Sequence, residues 1–369
     1  MQTDLLYWIL FAHLPRWTTL KINKLLVEIL HTQKMTFEDF FDLSHDEWIE
    51  IFKLDDKEID DLEMARKELP NYSFLLEDML NQGYELIPFN SDDYPKILKD
   101  NLKLKFAPPL LYIKGNKALL HDDTIAIVGS RDADNISLKF TKNIAIKATK
   151  EYKCVVSGGA KGIDQKALEE SVNSDGHSIL VLPQGILTAS TLMKKYYKSI
   201  VGGNLLMISA FYPKAPWSVG LAMGRNKYIY GLSKEIFVAQ SDSKGGTWSG
   251  VLEGLDAKRT IYIRNPEENE KNANDLLILK GGKAVNINGD LIQSTNNEIA
   301  LDEKIKNTIN GVALTAKQIK EKINYDIDTR KFSLYLSGLP FVKKEKKGTT
   351  NIFIYKNQNR QLSLFDINS

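Results

Sequence analysis

Apolar positions follow three regimes along the chain. Over residues 1–80 they recur at helical spacing, as in Leu20, Leu25, Leu26, Ile29 and Leu30, and again in Phe37, Phe40 and Phe41. Ser44-His45-Asp46-Glu47 supplies an N-cap and an acidic first turn for a helix running through Trp48 and Phe52. From residue 123 to about 287 the pattern changes to short unbroken apolar runs, at 125–128, 155–156, 179–182, 205–208, 236–239 and 261–263, with helical segments between them. Unbroken strands alternating with helices predict a mainly parallel sheet covered on both faces, a Rossmann-like doubly wound α/β domain. Beyond residue 300, Thr315-Ala316-Lys317-Gln318-Ile319 opens one helix and residues 328–336 form another. Phe341-Val342 is expected to pair with Ile352-Phe353-Ile354 across Lys346-Lys347-Gly348. That order is a winged-helix plan.

These regimes divide the chain into a helical, SAM-like module (1–80), a connector (81–122), the α/β domain (123–290), a winged-helix-like module (300–356) and a polar tail (357–369), expected to fray. The connector holds a short strand at Tyr84-Glu85-Leu86-Ile87 and the sequence Asp92-Asp93-Tyr94-Pro95. Pro108-Pro109 then fixes extended backbone ahead of Leu110-Leu111-Tyr112-Ile113-Lys114-Gly115. Residues 267–272 and 289–297 are polar and read as a loop and a linker. No internal repeat is present.

Charge is uneven. Residues 38–78 carry fifteen Asp or Glu against four Lys or Arg, a net of −11; with +2 on the whole chain, the remainder carries +13. A basic remainder suits a polyanionic ligand, whereas the acidic helices would repel phosphate, which argues against a DNA-binding helix-hairpin-helix in the first module. The four lysines of the expected wing, Lys343, Lys344, Lys346 and Lys347, fit DNA contact, a solvated turn or protein docking equally well. The single cysteine, Cys154, lies in an apolar run with no activating neighbour, so it is expected to be a buried thiol in a reducing compartment. No run approaches the roughly 18 apolar residues of a membrane span, and the N-terminus has no basic leader. A cytoplasmic protein without membrane contact is expected.

Ligands of doubly wound sheets sit beyond the strand C-termini, so the chemistry belongs in the loops there. Gly129-Ser130-Arg131 ends the first strand. It is not G-x-G-x-x-G, and no acidic residue closes the second strand, which disfavours a dinucleotide-dependent dehydrogenase. Ser157-Gly158-Gly159-Ala160-Lys161-Gly162-Ile163-Asp164 joins the second strand to a helix. Its glycines and the helix N-terminus predict an anion seat, and the absence of Walker A spacing argues against nucleoside triphosphate hydrolysis. Met223-Gly224-Arg225-Asn226-Lys227 sets two cations around an amide. Lys244-Gly245-Gly246-Thr247-Trp248-Ser249 is a further glycine turn opening a helix. All five histidines lie outside these loops and no metal-ligand spacing occurs, so neither metal nor cofactor is expected, and the site reads as built to bind rather than to react.

Taken in order, Gly129-Ser130-Arg131, the run from Ser157 to Asp164, Val181-Leu182-Pro183-Gln184-Gly185, Arg225-Asn226-Lys227 with Gly231-Leu232-Ser233, and Gly245-Gly246-Thr247 resemble the DNA-processing protein A family. The connector motifs are similar to that family's entry to its Rossmann-like domain. The resemblance implies a single-stranded DNA-binding protein that protects the strand and loads a RecA-type recombinase in recombination and natural transformation, as a homodimer. Carried over by motif, the DNA and phosphate contacts would be Gly129, Ser130, Arg131, Ser157, Gly158, Gly159, Lys161, Arg225, Asn226, Lys227, Gly245, Gly246 and Thr247. The chain diverges from the family pattern at Leu168, where a histidine is usual, at Ala210, where an acid is usual, and in Lys244-Gly245-Gly246-Thr247-Trp248. Two alternatives stand beside this reading. Gly245-Gly246-Thr247 with Glu253 also resembles the turn of related phosphoribohydrolases, although their proline-arginine-lysine motif is missing. The same crevice also suits a nucleotide-binding sensor in a defence system.

Overall fold

The computed structural model describes residues 2–267, 270–292, 298–325 and 327–356. The expected tail at 357–369 lies outside them, as do parts of the two polar stretches at 267–272 and 289–297. Six helices open the chain: α1 (Gln2–Ala12), α2 (Thr19–Val27), α3 (Phe37–Phe41), α4 (His45–Phe52), α5 (Asp56–Lys67) and α6 (Leu69–Asn81). Reciprocal capping boxes start α3 at Thr36, α4 at Ser44 and α5 at Asp55, so seven of the fifteen acids at residues 38–78 serve helix caps and first turns. Next come β1 (Glu85–Pro88), α7 (Lys96–Phe106), β2 (Leu110–Gly115), β3 (Thr124–Val128), α8 (Asn135–Lys150), β4 (Cys154–Ser157) and α9 (Ile163–Asn173). They are followed by β5 (Ser178–Val181), α10 (Ser190–Val201), β6 (Leu205–Ser209), α11 (Val219–Gly231), β7 (Glu235–Val238) and α12 (Gly246–Asp256). Then β8 (Thr260–Arg264), α13 (Asn274–Leu279) and β9 (Lys283–Val285) complete the sheet.

The nine strands order as β1-β2-β6-β5-β4-β3-β7-β8-β9. From β6 to β9 every pairing is parallel, while β1 and β2 add antiparallel at the β6 edge, with Tyr112 opposite Ser209. The segment read as a connector therefore contributes two strands to the sheet. Alternation sorts each central strand between two layers. Ile125 and Ile127 of β3 pack with Phe140 and Ile144 of α8, while Ala126 and Val128 face Tyr228 and Ile229 of α11. Burial on both faces explains why these strands are unbroken apolar runs rather than alternating ones. The N-terminal helices share one apolar cluster with Tyr112, Met207 and Tyr196, which docks them on the antiparallel edge. There His13 Nε2 meets the Tyr112 hydroxyl at 2.8 Å.

Winding reverses between β3 and β7: successive strands run from β3 toward β6 on one side and from β7 toward β9 on the other. A crevice opens at such a reversal because the flanking loops leave in opposite directions. The chain ends in α14 (Glu298–Ile309), α15 (Ala316–Ile323), α16 (Thr329–Gly338) and an antiparallel hairpin of β10 (Val342–Lys347) and β11 (Thr350–Tyr355). The expected pairing is shifted slightly, with Val342 opposite Tyr355, and α14 is an additional helix. Ile305, Ile319, Phe332 and Phe353 form this unit's core, to which Leu276 of α13 and the preceding Ala273 add. Lys343, Lys344, Lys346 and Lys347 are exposed along β10.

Candidate functional site

The first glycine turn is built by packing. Gly129 approaches Ile163 too closely for a side chain, and Gly162, at φ +87°, approaches the carbonyls of Ser130 and Arg131. Gln240, at the end of β7, stitches this turn in place: its carbonyl accepts from the Ser130 N–H at 2.9 Å and its Oε1 from the Asp134 N–H at 3.0 Å. The Ser157 hydroxyl donates to the Ile127 carbonyl at 2.9 Å, tying β4 to β3.

The anion seat expected at residues 157–164 is occupied from within. Asp164, in the first turn of α9, is buried where the backbone N–H groups of Gly158 and Gly129 favour its charged form. Arg225 reaches the same point from α11. Its guanidinium donates to the Gly158 carbonyl at 2.7 Å and to the Val181 carbonyl, and lies 3.9 Å from Asp164. Both residues are buried, and a Cβ on Gly158 would overlap the guanidinium. Burial pushes the Asp164 carboxyl up to about 6, against the opposing pull of Arg225, the two N–H groups and Arg131. Arg225 and Asp164 thus form the floor of the crevice, with Gly158 bonded to the Arg225 guanidinium and Ser157 next to it in the chain.

Above that floor lies a cleft of about 420 Å³, lined by residues 128–132, by α11 through Met223, Arg225, Asn226 and Tyr230, and by Asp242 and residues 244–247. It gathers Gly129, Ser130, Arg131, Asn226, Gly245, Gly246 and Thr247 from the expected set, together with Arg225 at its base. Gly159 and Lys161 lie on the adjoining turn, where Lys161 is exposed, and Lys227 lines a neighbouring cleft on the other side of α11. Glu253, which the phosphoribohydrolase alternative needs beside the Gly245 turn, lines that neighbouring cleft as well. Sequence reasoning passed over Asp164, Lys244, Asp132 and Asp242. Lys244 was legible as a cation beside a glycine turn. Asp164 was not, because its partners stand in other loops.

The rim retains free functional groups. Arg131 and Lys244 are exposed and make no hydrogen bond or ion pair among the described residues. Gly245, at φ +95°, starts α12 with no side-chain cap, which leaves the first-turn N–H groups facing the cleft. Val219, Met223 and Trp217 are exposed apolar surface at the start of α11. Asp132 and Asp242 are also exposed, so the rim charges balance and the net field is modest. Cys154 is buried, its thiol pushed up by burial. Among the described residues there is no group of three or more acids, histidines or cysteines able to hold a metal, and no helix is long and apolar enough to cross a membrane.

A crevice at the winding reversal, ringed by ordered glycine turns, corresponds to a described family. Residues 85–296, more than half of the chain, match the model of DNA recombination-mediator protein A. The chain belongs to that family. It is similar to DNA processing protein DprA of Streptococcus pneumoniae (strain R6), at 26% identity over 56% of this chain and 67% of the relative. DNA processing protein DprA of Bacillus subtilis is 25% identical over 49% of this chain and 60% of the relative. The X-ray structure of DNA processing protein A from Streptococcus pneumoniae shares the fold, with a TM-score of 0.58 and 21% identity, over 77% of this chain and 94% of that one. The family match spans the sheet from β1 through β9, and both clefts lie within it.

Proposed function

We propose that the chain binds single-stranded DNA and mediates recombination, protecting the strand and assisting a RecA-type recombinase to load on it, in recombination and natural transformation. The reading treats the protein as a cytoplasmic binding protein, working as a homodimer, without catalysis. One observation carries it: in a member of the recombination-mediator family, the cleft at the strand C-termini keeps Arg131, Lys244 and the uncapped start of α12 open on its rim. Cations and backbone N–H groups track a phosphate backbone without reading its sequence, and exposed apolar side chains beside them suit unstacked bases, which only a single strand offers. Ser130, Arg131, Lys161, Asn226, Gly245, Gly246 and Thr247 are the proposed contacts. Gly129, Ser157, Gly158 and Arg225 support them from below. The exposed lysines of β10 extend the same surface chemistry to the winged-helix-like module.

Anisotropy titration of an oligothymidine and a duplex of equal length, over a salt series, tests the reading. Each phosphate contact on a single strand contributes about −0.7 to the slope of log affinity against log salt. Arg131, Lys161 and Lys244, the cations of this cleft, should contribute about −2 to that slope, with the single strand preferred. Equal affinity for both forms, or no binding at low salt, refutes it. Sedimentation of the free protein tests the dimer.

A further inference from the structure

The neighbouring cleft has a chemistry of its own. It holds about 380 Å³, inside the range of about 300–1,000 Å³ usual for small-ligand sites, between α7, α11 and α12. Its apolar walls are Leu102 and Phe106 of α7 and Met223 of α11, and α12 faces them with Gly246, Gly250 and Gly254. Phe106 and Met223 are exposed, at 43% and 46%. Three charged residues line this slot, Lys227, Glu253 and Arg259, and the Arg259 guanidinium is tied to the Tyr230 and Ser233 carbonyls. Lys227 lies over the Phe106 ring, 5.5 Å from its centroid, and makes no hydrogen bond or ion pair among the described residues. Its pKa is lowered by burial, and Glu253 opposes that shift. The Tyr230 hydroxyl is buried without a hydrogen-bond partner and lies 3.1 Å from where a Cβ on Gly250 would stand. Met223, Asn226, Tyr230 and Gly246 line both clefts, so the slot is continuous with the phosphate-facing rim across a single wall.

We infer that this second cleft receives one unstacked base of the bound strand and prefers guanine. The inference rests on the single-strand reading above. A base splayed from a single strand is recognised by its Watson–Crick edge and held between flat apolar surfaces. Guanine presents two adjacent donors, N1–H and the N2 amine, which a carboxylate such as Glu253 accepts together, and a carbonyl O6 to which the Lys227 ammonium donates. Thymine offers one donor between two acceptors and leaves the carboxylate half used. Phe106 and Met223 supply the faces, while the glycines of α12 leave the width for a ring. Asn226, at the wall, stands where the sugar passes from one cleft to the other.

Anisotropy titration of the full-length protein with an oligothymidine, and with the same strand carrying one central dG, dC or deoxyinosine, tests this. The dG strand should bind about tenfold more tightly than oligothymidine, and deoxyinosine, which lacks the N2 amine, should fall between them. Glu253→Gln should bring the dG to dT ratio close to one. Glu253→Lys should abolish the preference while raising affinity for oligothymidine, an outcome that misfolding cannot produce. Equal binding of dG and dT strands by the unaltered protein, tightest binding of dC, or a ratio unchanged in both variants overturns the inference and leaves the single-strand reading standing. If oligothymidine and the dG strand both fail to bind, the single-strand reading falls, and this inference with it.

Discussion

Asp164→Asn should raise stability at neutral pH and expose a pH dependence that the unaltered protein conceals. Burial holds the Asp164 carboxyl at about 6 in the fold, against 3.8 as its ordinary value. A carboxyl raised on folding favours the fold in its protonated form. Its contribution is fully present below the ordinary value and is lost as pH rises through about 6. The difference corresponds to about 3 kcal/mol. Asparagine mimics the neutral acid, so the variant should match the unaltered protein near pH 4 and exceed it by up to about 3 kcal/mol near pH 7. His13 has the opposite sign. Its ring is enclosed between Tyr112 and Tyr212, and burial lowers its pKa from 6.5 to about 4. It therefore contributes stability above 6.5 that is lost as pH falls toward 4, by at most about 3 kcal/mol because the residue is partly exposed. The two slopes nearly cancel in the unaltered protein. Glu169 and Glu270, whose carboxyls Lys195 and Arg264 hold below the ordinary value of 4.5 against the pull of burial, contribute stability that is present above 4.5 and lost below it. Urea unfolding between about pH 5 and 7 should give a nearly flat profile for the unaltered protein, and one that rises with pH for Asp164→Asn. A variant less stable than the unaltered protein at pH 7, with an equally flat profile, would mean that Asp164 is ionised and well paired throughout, and would refute the reasoning.

Three further substitutions separate the floor of the cleft from its rim. Arg225→Met leaves the Gly158 and Val181 carbonyls without a donor and Asp164 without its cation; a loss of about 3–5 kcal/mol in urea unfolding is expected, and a loss under about 1 kcal/mol removes Arg225 from the floor. Gly158→Ala drives a methyl group into the guanidinium and should cost about 1–3 kcal/mol, read as a lowered melting temperature by calorimetry. The double variant Arg131→Ala with Lys244→Ala removes two exposed cations; it should leave the melting temperature in place and flatten the salt slope of oligothymidine binding by about 1.4. An unchanged slope excludes both side chains from phosphate contact.

Local pattern carried most of the α/β fold, because burial on both faces makes an unbroken apolar run such as Thr124-Ile125-Ala126-Ile127-Val128 compulsory. Non-local pairing carried the rest. β2 joins β6 through Tyr112 opposite Ser209, and nothing near either residue announces a partner almost a hundred positions away. β9, with only Lys283, Ala284 and Val285, is too short to register as a strand against its polar flanks. The second cleft was equally hidden, since Phe106 and Glu253 face each other only because α7 and α12 both pack against α11.

The glycine turns show why a motif can mark the right place for a different physical reason. Gly129, Gly158 and Gly162 suggested N–H groups open to a ligand, yet each is glycine because another chain segment comes too close for a Cβ. Two of their N–H groups favour the charged form of the buried Asp164, so the protein places its own carboxylate beside them. Only the fourth turn keeps the property the motif promised: a Cβ on Gly245 would meet nothing within 4 Å, and no side chain caps α12 behind it. The same glycine-rich pattern therefore divides into two roles. Substitutions at residues 129, 158 and 162 act on stability first and on DNA binding only through it. At residue 245 the positive φ still strains a substituted backbone, but the open N-terminus of α12 makes binding the first property to fall. The phosphate recognition proposed for this cleft would therefore centre on the turn between β7 and α12, with Arg131 and Lys244 on its rim.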